Sequence, residues 1–417
     1  MKLILIAALS TAGLHSEIQN IVDKFSSATG GFGFSASVCN ADTCLSAEAG
    51  RRTPPGLPVV APGNMTVNST FILGSGSKVY TATGILRAVD AGRVALDDSV
   101  VDIVDEMMEI IWNTTLSELL GLTARNITVG HLVRMESGLA DIEAIPGYEV
   151  AALRNDSSRH DPIWDLLAVA NLTYPGFCHS CVWHFAPGTQ SEYSSTNFLL
   201  ADLVVMALEQ STDWKSFDQR LSLGSDFSSR FPHTFFPTTG LMHRVGLNCV
   251  GQCRTFTKNT TAIWQQDAGI MGMGWGAATA SMLDVARFFY LLEGEGSILS
   301  PESLAHMQSF RNISVGSPKW YGMGMEAINP TPRIRNYHYP PLDDIATCFG
   351  HHGATYGFEF VGGFFPRLNA SIAVAINADR LHTVFLHGAA CGVVQAVVND
   401  VGLTHNLNCS TAAIENE

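Results

Sequence analysis

Apolar and polar residues alternate in short segments near the start of the chain, and mostly apolar segments flank a turn near its end. The residues from Gly33 to Val38 and from Leu45 to Gly50 follow this pattern on either side of a Cys39–Cys44 turn. Near the other end, Phe358 to Phe365 and Ala370 to Asn377 form a second pair around a turn that contains proline. Alternation with a period of two and short apolar segments around a turn are both typical of strands, so the sequence predicts a β-hairpin near each end.

Between these strands, apolar residues recur at helical spacing. A helix is predicted from Lys78 onward, following a strand-like segment from Phe71 to Leu73, and it should end at Ala91-Gly92. The same spacing predicts further helices, which we list by number: 101–111, 128–135, 198–209 and 281–292 in the middle of the chain, and 381–401 near its end.

Strands at both ends with helices between them predict an α/β (α+β) protein in which both ends build one lobe. We expect this lobe to contain residues 16–80 and 310–417, and residues 81–309 to form an inserted, helix-rich lobe. No repeat of fixed period interrupts this organisation.

The first residues resemble a secretory leader. Met1-Lys2 precedes an apolar stretch from Leu3 to Leu14 that is too short to span a bilayer, so residues 1–15 are predicted to be a signal peptide. Cleavage is expected near Gly13 to Ser16, although a buried first helix or strand is the alternative. Nothing after this stretch is long and apolar enough to predict a membrane span.

Ten asparagines stand two residues before Ser or Thr, which is the acceptor pattern for N-glycans; they are Asn64, Asn68, Asn113, Asn126, Asn155, Asn171, Asn259, Asn312, Asn369 and Asn408. So many acceptors predict a glycoprotein that is secreted or held in another secretory-pathway lumen. Each occupied site must lie at the surface.

The nine cysteines agree with an oxidising compartment. Three close pairs are predicted to form disulfides, namely Cys39/Cys44, Cys178/Cys181 and Cys249/Cys253, while Cys348, Cys391 and Cys409 leave one odd thiol. Cys178 and Cys181 with His184 could instead bind a metal. No second cysteine pair completes a tetrahedral site, so no metal is predicted.

Composition excludes other classes of protein. With 46% hydrophobic and 15% charged residues in 417, the chain can bury a large core and is not disordered. A formal net charge of −14 would repel a phosphate backbone, so no nucleic-acid partner is expected.

Candidate chemistry begins at Ser75-Gly76-Ser77-Lys78, where the strand-like segment gives way to a helix. Residues three apart share a helix face, so the Ser75 hydroxyl and the Lys78 amine can meet. A serine hydroxyl needs such a neighbour to take its proton during nucleophilic attack. A helix cap and a surface charge are the alternative interpretation of this pair.

Two later segments extend the pattern. A Pro-Gly turn at residues 187–188 leads to Tyr193 at the start of a predicted helix. Gly350-His351-His352-Gly353 enters the strand that begins at Phe358. A glycine beside a polar residue allows close approach to a strand edge.

In order and separation, these segments resemble the Ser-x-x-Lys, Tyr-x-Asn and Lys/His-x-Gly boxes of the class C β-lactamase, D,D-peptidase and esterase superfamily, which is related to penicillin-binding proteins. The resemblance covers residues from about 17 to 400 and implies an antiparallel sheet flanked by helices. It also implies that Ser75 is acylated, that Lys78 assists its deprotonation and that Tyr193 shuttles protons.

The resemblance assigns substrate binding to Ser195, His351, Gly353 and Ala354, with the backbone N–H groups of Ser75 and Ala354 forming the oxyanion hole. Two of these positions depart from the lactamase pattern. Ser195 replaces the asparagine of the second box, and His351 replaces the lysine of the third. Both changes favour an esterase or peptidase over an antibiotic hydrolase.

The sequence therefore predicts a serine hydrolase that needs no cofactor and cleaves an ester, amide or D-amino-acid-containing peptide through acyl-Ser75. Its expected partners are a small-molecule or peptide substrate and its own N-glycans. The alternative is a catalytically silent glycoprotein that uses the same fold for binding.

Overall fold

A computed structural model describes residues 11–145, 161–172, 174–177, 181–252, 263–265, 267–316, 319–330, 340–379 and 383–409. Its main element is an eight-stranded antiparallel sheet in the order β2-β1-β13-β12-β11-β10-β9-β8. The strands of this sheet are β1 (Phe34–Cys39), β2 (Cys44–Ala49), β8 (Arg311–Asn312), β9 (Trp320–Tyr321), β10 (Glu326–Ile328), β11 (Cys348–Thr355), β12 (Phe358–Phe365) and β13 (Ala370–Ile376).

The remaining strands form two smaller sheets. The segments β3 (Thr70–Ile72), β7 (Thr279–Ser281) and β6 (Thr234–Phe235) pair in that order, while β4 (Tyr174–Phe177) pairs with β5 (Cys181–Trp183). The described helices are α1 (Thr11–Ala28), α2 (Ser77–Asp90), α3 (Val100–Trp112), α4 (Leu116–Leu120), α5 (Val129–Val133), α6 (Pro162–Ala170), α7 (Ser195–Leu208), α8 (Arg220–Leu223), α9 (Phe227–Arg230), α10 (Met273–Gly276), α11 (Met282–Phe289), α12 (Pro301–Met307) and α13 (Thr383–Asp400).

The large sheet is covered on both faces, which explains why β13 is apolar along its whole length. Ile372, Val374 and Ile376 pack into one hydrophobic core with α1 and α13. Ala373 and Ala375 point the other way, into the core shared with the helix-rich part of the chain. A strand buried on both faces reads as a continuous apolar run instead of an alternating one.

The antiparallel sheet flanked by helices confirms the predicted fold class. Both predicted hairpins form, since β1 pairs with β2 and β12 pairs with β13. The division into lobes at residues 80 and 309 stays a prediction. Helix α11 belongs to the predicted helix-rich segment, yet it packs directly on β1 and β13 of the large sheet.

The N-terminal helix α1 runs across the end of the predicted signal peptide. Leu14 and Ile18 are buried in the core beside α13. The predicted cleavage region from Gly13 to Ser16 therefore lies within a packed helix, and the signal peptide itself remains a prediction. No described helix is both long and apolar enough to cross a membrane.

The cysteine pairing follows the prediction only in part. Cys39 and Cys44 form the expected disulfide, and Cys181 is disulfide-bonded while its predicted partner Cys178 lies outside the described residues. The Cys249/Cys253 pairing is wrong, because Cys249 is a free, buried thiol that donates to the Thr70 carbonyl.

The C-terminal cysteines pair with each other. Cys391 of α13 is bonded to Cys409, which fastens the C-terminal segment to that helix. Cys348 is the second free cysteine and is buried in β11. Sequence spacing could not give this pairing, because a disulfide needs proximity in space and not in sequence.

The glycan acceptors lie where a glycan can be carried. Eight of the ten sequon asparagines fall among the described residues, and all eight are exposed. By contrast, Asn197 and Asn377, which are not acceptors, are buried. Asn155 and Asn259 lie outside the described residues. This distribution meets the requirement that an occupied site be at the surface.

Candidate active site

Ser75 lies in the turn between β3 and α2. The turn from Gly74 to Gly76 is a 3-10 helix, and it presses against the backbone of β11. Gly74 has φ of +52°, and a Cβ there would lie 2.7 Å from the Ala354 carbonyl oxygen. Only a glycine combines this backbone conformation with such close approach. Ser75 itself is half-buried, so its hydroxyl faces the site while a substrate can still reach it.

Lys78 is in the first turn of α2 and is fully buried. Its Nζ donates to Ser75 Oγ at 3.1 Å and to the Trp275 carbonyl oxygen at 3.1 Å. Burial lowers the pKa of this amine to about 8, although Glu143 acts against that shift. At pH 7 roughly a tenth of the molecules then carry a neutral Lys78 that can accept a proton. The predicted Ser75–Lys78 contact is present.

Tyr193 is the third residue of the group that contains Ser75 and Lys78. Its phenol lies beside the Ser75 hydroxyl, and its ring centroid is 5.2 Å from Lys78 Nζ. Burial raises the pKa of the Tyr193 phenol well above its usual value, and Tyr321 and Glu326 raise it further. At neutral pH the phenol therefore holds its proton. The structure thus brings together all three residues that the sequence predicted to be catalytic.

Ser195, the predicted replacement for the second-box asparagine, is buried at the start of α7. Its backbone N–H donates to Asp141 Oδ1 at 3.0 Å, and its hydroxyl donates to Glu143 Oε2 at 2.6 Å. Burial and the nearby Glu143 raise the pKa of Asp141 to about 7. Glu143 is an exposed residue, so this side of the site presents a carboxylate to solvent.

Sequence reasoning missed both acids. They lie between α5 and α6, in a part of the chain that none of the three motifs includes. The orientation of these two side chains could not be predicted from the sequence. It depends on Thr196, whose hydroxyl donates to the Ala140 carbonyl at 2.7 Å and ties this loop to α7.

The third predicted segment, in β11, divides between buried and exposed positions. His351 is 0% exposed, with its ring centroid 6.3 Å from that of Tyr193, and burial lowers the pKa of its imidazole to about 3. Gly353 is buried, and a Cβ there would lie 1.8 Å from the Leu73 carbonyl oxygen. The close approach that this glycine permits is to the chain before Ser75 and not to a substrate. Ala354 is exposed beside Gly74, where a substrate can reach it.

A second lysine, also missed by sequence reasoning, faces Tyr193 from the strands beside β11. Lys319 Nζ lies 4.1 Å from the Tyr193 ring centroid and 2.8 Å from Glu326 Oε1. Glu326 is buried and its other oxygen is 2.5 Å from His352 Nδ1. The neighbouring His352 and Lys319 hold the pKa of this carboxyl well below its usual range, against the effect of burial.

Metal ligation can be examined at two places. In the described part of the chain, Glu326, His351 and His352 place ligand atoms within 4.8 Å of one another. The Lys319 ammonium, however, already binds the Glu326 carboxylate. At the other place, which the sequence had suggested, Cys181 is disulfide-bonded and His184 Nδ1 lies 2.5 Å from Glu192 Oε2. A metal ion at either place would have to displace these partners.

The glycine-rich segment around α10 combines tight packing with a second role. A Cβ at Gly274 would lie 2.4 Å from Asp202 Oδ1, so the helices do pack closely there. The same segment supplies the Trp275 carbonyl that holds Lys78. Packing of α10 against α2 therefore orients the amine toward Ser75.

A serine hydroxyl that accepts a hydrogen bond from a buried amine of lowered pKa and lies beside a protonated phenol is suited to acyl transfer. The chain matches the Beta-lactamase family model over residues 19–389, which is most of its length. The protein therefore belongs to the beta-lactamase family.

One curated relative is Penicillin-binding protein 4 of Amycolatopsis lactamdurans, which is 27% identical over 226 residues. The aligned region is 54% of this chain and 51% of that relative, so the match spans about half the length of each protein. An activity of the whole relative therefore does not transfer directly.

Solved structures share the fold over nearly the whole chain. The D-amino acid amidase from Ochrobactrum anthropi SV3, complexed with L-phenylalanine amide, superposes with a TM-score of 0.68 at 17% identity, covering 93% of this chain and 99% of the amidase. The D-stereospecific amidohydrolase from a Streptomyces species gives 0.63 at 20%, covering 94% and 99%. The octameric penicillin-binding protein homologue from Pyrococcus abyssi gives 0.64 at 17%, covering 91% and 77%.

Proposed function

We propose that the protein is a secreted serine hydrolase that forms an acyl-Ser75 intermediate from an amide, ester or D-amino-acid-containing peptide. The observation that carries this proposal is the hydrogen bond from Lys78 Nζ to Ser75 Oγ, at 3.1 Å, with the Tyr193 ring centroid 5.2 Å from the same ammonium. No cofactor is needed, because these groups provide a nucleophile, a base and an acid.

Acylation would use the different protonation states of the two activators. The neutral fraction of Lys78 takes the Ser75 proton as Oγ attacks the substrate carbonyl, and the backbone N–H groups of Ser75 and Ala354 receive the developing oxyanion. Tyr193, whose raised pKa keeps it protonated, then gives its proton to the leaving nitrogen or oxygen. Collapse of the tetrahedral intermediate breaks the scissile bond and leaves Ser75 acylated.

Deacylation would reverse the proton flow. Water attacks the acyl carbonyl while the Tyr193–Lys78 pair, which has passed on one proton, accepts a proton from the water. Loss of Ser75 Oγ from the second tetrahedral intermediate, with return of its proton, releases the acid and regenerates the starting site.

On the substrate side, Glu143 favours compounds with a free amine next to the scissile carbonyl. Its carboxylate is exposed and is held by the Ser195 hydroxyl at 2.6 Å, where the second-box asparagine would otherwise offer an amide. A carboxylate binds an ammonium group by a charge-assisted hydrogen bond. D-Amino acid amides, the compounds named for the amidase of the same fold, carry such an amine.

Covalent labelling tests the enzyme. A fluorophosphonate should add one adduct mass to the wild-type protein, none to Ser75→Ala, and should react far more slowly with Tyr193→Phe. If a folded preparation is labelled by neither a fluorophosphonate nor a penicillin, the silent glycoprotein becomes the better interpretation.

A matched substrate pair tests the amine site. D-Phenylalanine p-nitroanilide should be hydrolysed with kcat/KM about 10- to 100-fold above that of its N-acetyl derivative. In Glu143→Gln this preference should disappear, mainly through KM. If the wild type and Glu143→Gln prefer the free-amine substrate to the same degree, Glu143 does not bind the substrate amine. The proposed serine chemistry would be unaffected by that result.

Secretion is supported by the Cys39–Cys44 and Cys391–Cys409 disulfides and by the exposed acceptors. Protein collected from the medium of a eukaryotic host should lose mass on treatment with peptide N-glycosidase. It should also begin after residue 12, as read by N-terminal sequencing. Unglycosylated protein that stays inside the cell would contradict this part of the proposal.

A further inference from the structure

The position that should carry a positive charge in the third box does not carry one. His351 is fully buried, and burial lowers the pKa of its imidazole to about 3. Its Nδ1 contacts the His352 carbonyl oxygen, and none of the described residues offers a hydrogen-bond partner to its Nε2. A neutral histidine therefore stands where the lactamase pattern has a lysine.

A lysine from a different strand faces the same phenol. Lys319 precedes β9, and its ammonium lies 4.1 Å from the Tyr193 ring centroid, closer than the 5.2 Å of Lys78 Nζ. The Lys319 side chain is 14% exposed and forms a 2.8 Å ion pair with Glu326. Since Glu326 lies on β10, which pairs with both β9 and β11, the hairpin fixes the ammonium against Tyr193.

We propose that Lys319 supplies the positive charge that His351 lacks and acts as a positioning residue for the acylation of Ser75. The inference rests on the proposed function, because it concerns the proton transfers of that reaction. Lys319 acts through space on Lys78 and Tyr193.

The direction of the effect follows from the charges around Lys78. The groups that face its ammonium from the neighbouring elements are Asp141, Glu143, Tyr193, Lys319, Glu326 and His351. The three carboxylates raise the pKa of Lys78, whereas Lys319 lowers it. Loss of Lys319 also leaves Glu326 less compensated. Both changes favour protonated Lys78, which cannot accept the Ser75 proton.

The test is the pH dependence of kcat/KM for a chromogenic ester, measured from pH 5 to 10 and normalised to Ser75 titrated with fluorophosphonate. In Lys319→Met the acidic limb should move up by roughly half to one pH unit, which at pH 6.5 is about a 3- to 10-fold loss. Lys319→Arg keeps the charge and should keep the limb close to that of the wild type.

A matched control is Lys215→Met. Lys215 is exposed, its ammonium lies 5.7 Å from the Trp214 ring centroid, and it is not among the charges that act on Lys78. This variant should leave the profile unchanged. Glu326→Gln offers an opposite perturbation, because removal of that negative charge should move the acidic limb to lower pH.

An unshifted limb in either folded variant, Lys319→Met or Glu326→Gln, would overturn the inference, as would equal shifts in Lys319→Met and Lys319→Arg. A merely structural lysine would lower the plateau without moving the limb. Failure of the proposed function looks different: turnover would persist in Ser75→Ala, whatever residue 319 is.

Discussion

Gly353 joins the large sheet to the turn that carries Ser75, and its replacement by alanine should separate them. The new Cβ would lie 1.8 Å from the Leu73 carbonyl oxygen and 3.0 Å from the Gly76 nitrogen. Both atoms are backbone, so no side chain can rotate away. Ordinary contact distances require the two segments to move apart by about 1.5 Å.

This displacement is large on the scale of catalysis. A misplacement of about 1 Å can cost on the order of 100-fold in rate, so kcat/KM of Gly353→Ala should fall by at least that factor. The strain should also lower the free energy of unfolding by roughly 1–3 kcal/mol. Thermal denaturation followed by circular dichroism measures the second effect, and ester hydrolysis per titrated Ser75 measures the first.

Gly363→Ala separates the two effects. A Cβ on Gly363 would lie 2.5 Å from the Phe349 carbonyl oxygen, again a backbone atom, but the clash is between β12 and β11 and not with the Ser75 turn. This variant should lose stability while its kcat/KM per titrated serine stays near that of the wild type. If the two alanine variants lose activity equally, Gly353 does not position Ser75 and the reasoning is refuted.

Two further predictions concern stability. Burial raises the pKa of Glu293 to about 8. Between pH 4.5 and 8 the unfolded chain therefore releases a proton that the folded chain keeps. The free energy of unfolding should fall as pH rises through this window. Glu293→Gln can still accept the Gln308 hydrogen bond. In urea titrations its free energy of unfolding should depend less on pH and should be higher than that of the wild type by on the order of 2–4 kcal/mol at pH 8. An unchanged pH dependence would contradict this. Paired replacement of Cys391 and Cys409 by serine should cost about 3 kcal/mol, seen as a lower Tm, and an unchanged Tm would show that this disulfide contributes nothing to stability.

The fold was predictable because its signals are local. Alternation marked β1 and β2, apolar segments around a proline-containing turn marked β12 and β13, and the helical spacing after Ser75 marked α2. The short strands β8 to β10 gave no such signal, since each has at most three residues. They form by pairing outward from the edge of β11, where β10 pairs with β11 and β9 pairs with β10. This is a tertiary effect, which the periodicity of apolar residues in the sequence does not show.

The site was predictable only along its motifs. The Ser75–Lys78 spacing and the Tyr193 turn pointed to the residues that meet, whereas Glu143 and Lys319 reach the site from loops and edge strands without a motif. The sequence also did not predict how deeply each site residue is buried. His351 was expected to bind substrate, and the structure places it next to Tyr193 without exposure, which removes its charge.

The charges that face Lys78 also connect the substrate to the base. Among them, Glu143 has the largest effect, and it raises the pKa of Lys78. A substrate ammonium bound to Glu143 would offset that negative charge, so binding itself would favour neutral Lys78 and prepare Ser75 for attack. Because kcat reports ionisations of the bound complex and kcat/KM those of the free enzyme, the acidic limb of kcat should lie at lower pH than that of kcat/KM for the free-amine substrate. For the N-acetyl substrate the two limbs should coincide, and a separation there would show that the amine is not the cause.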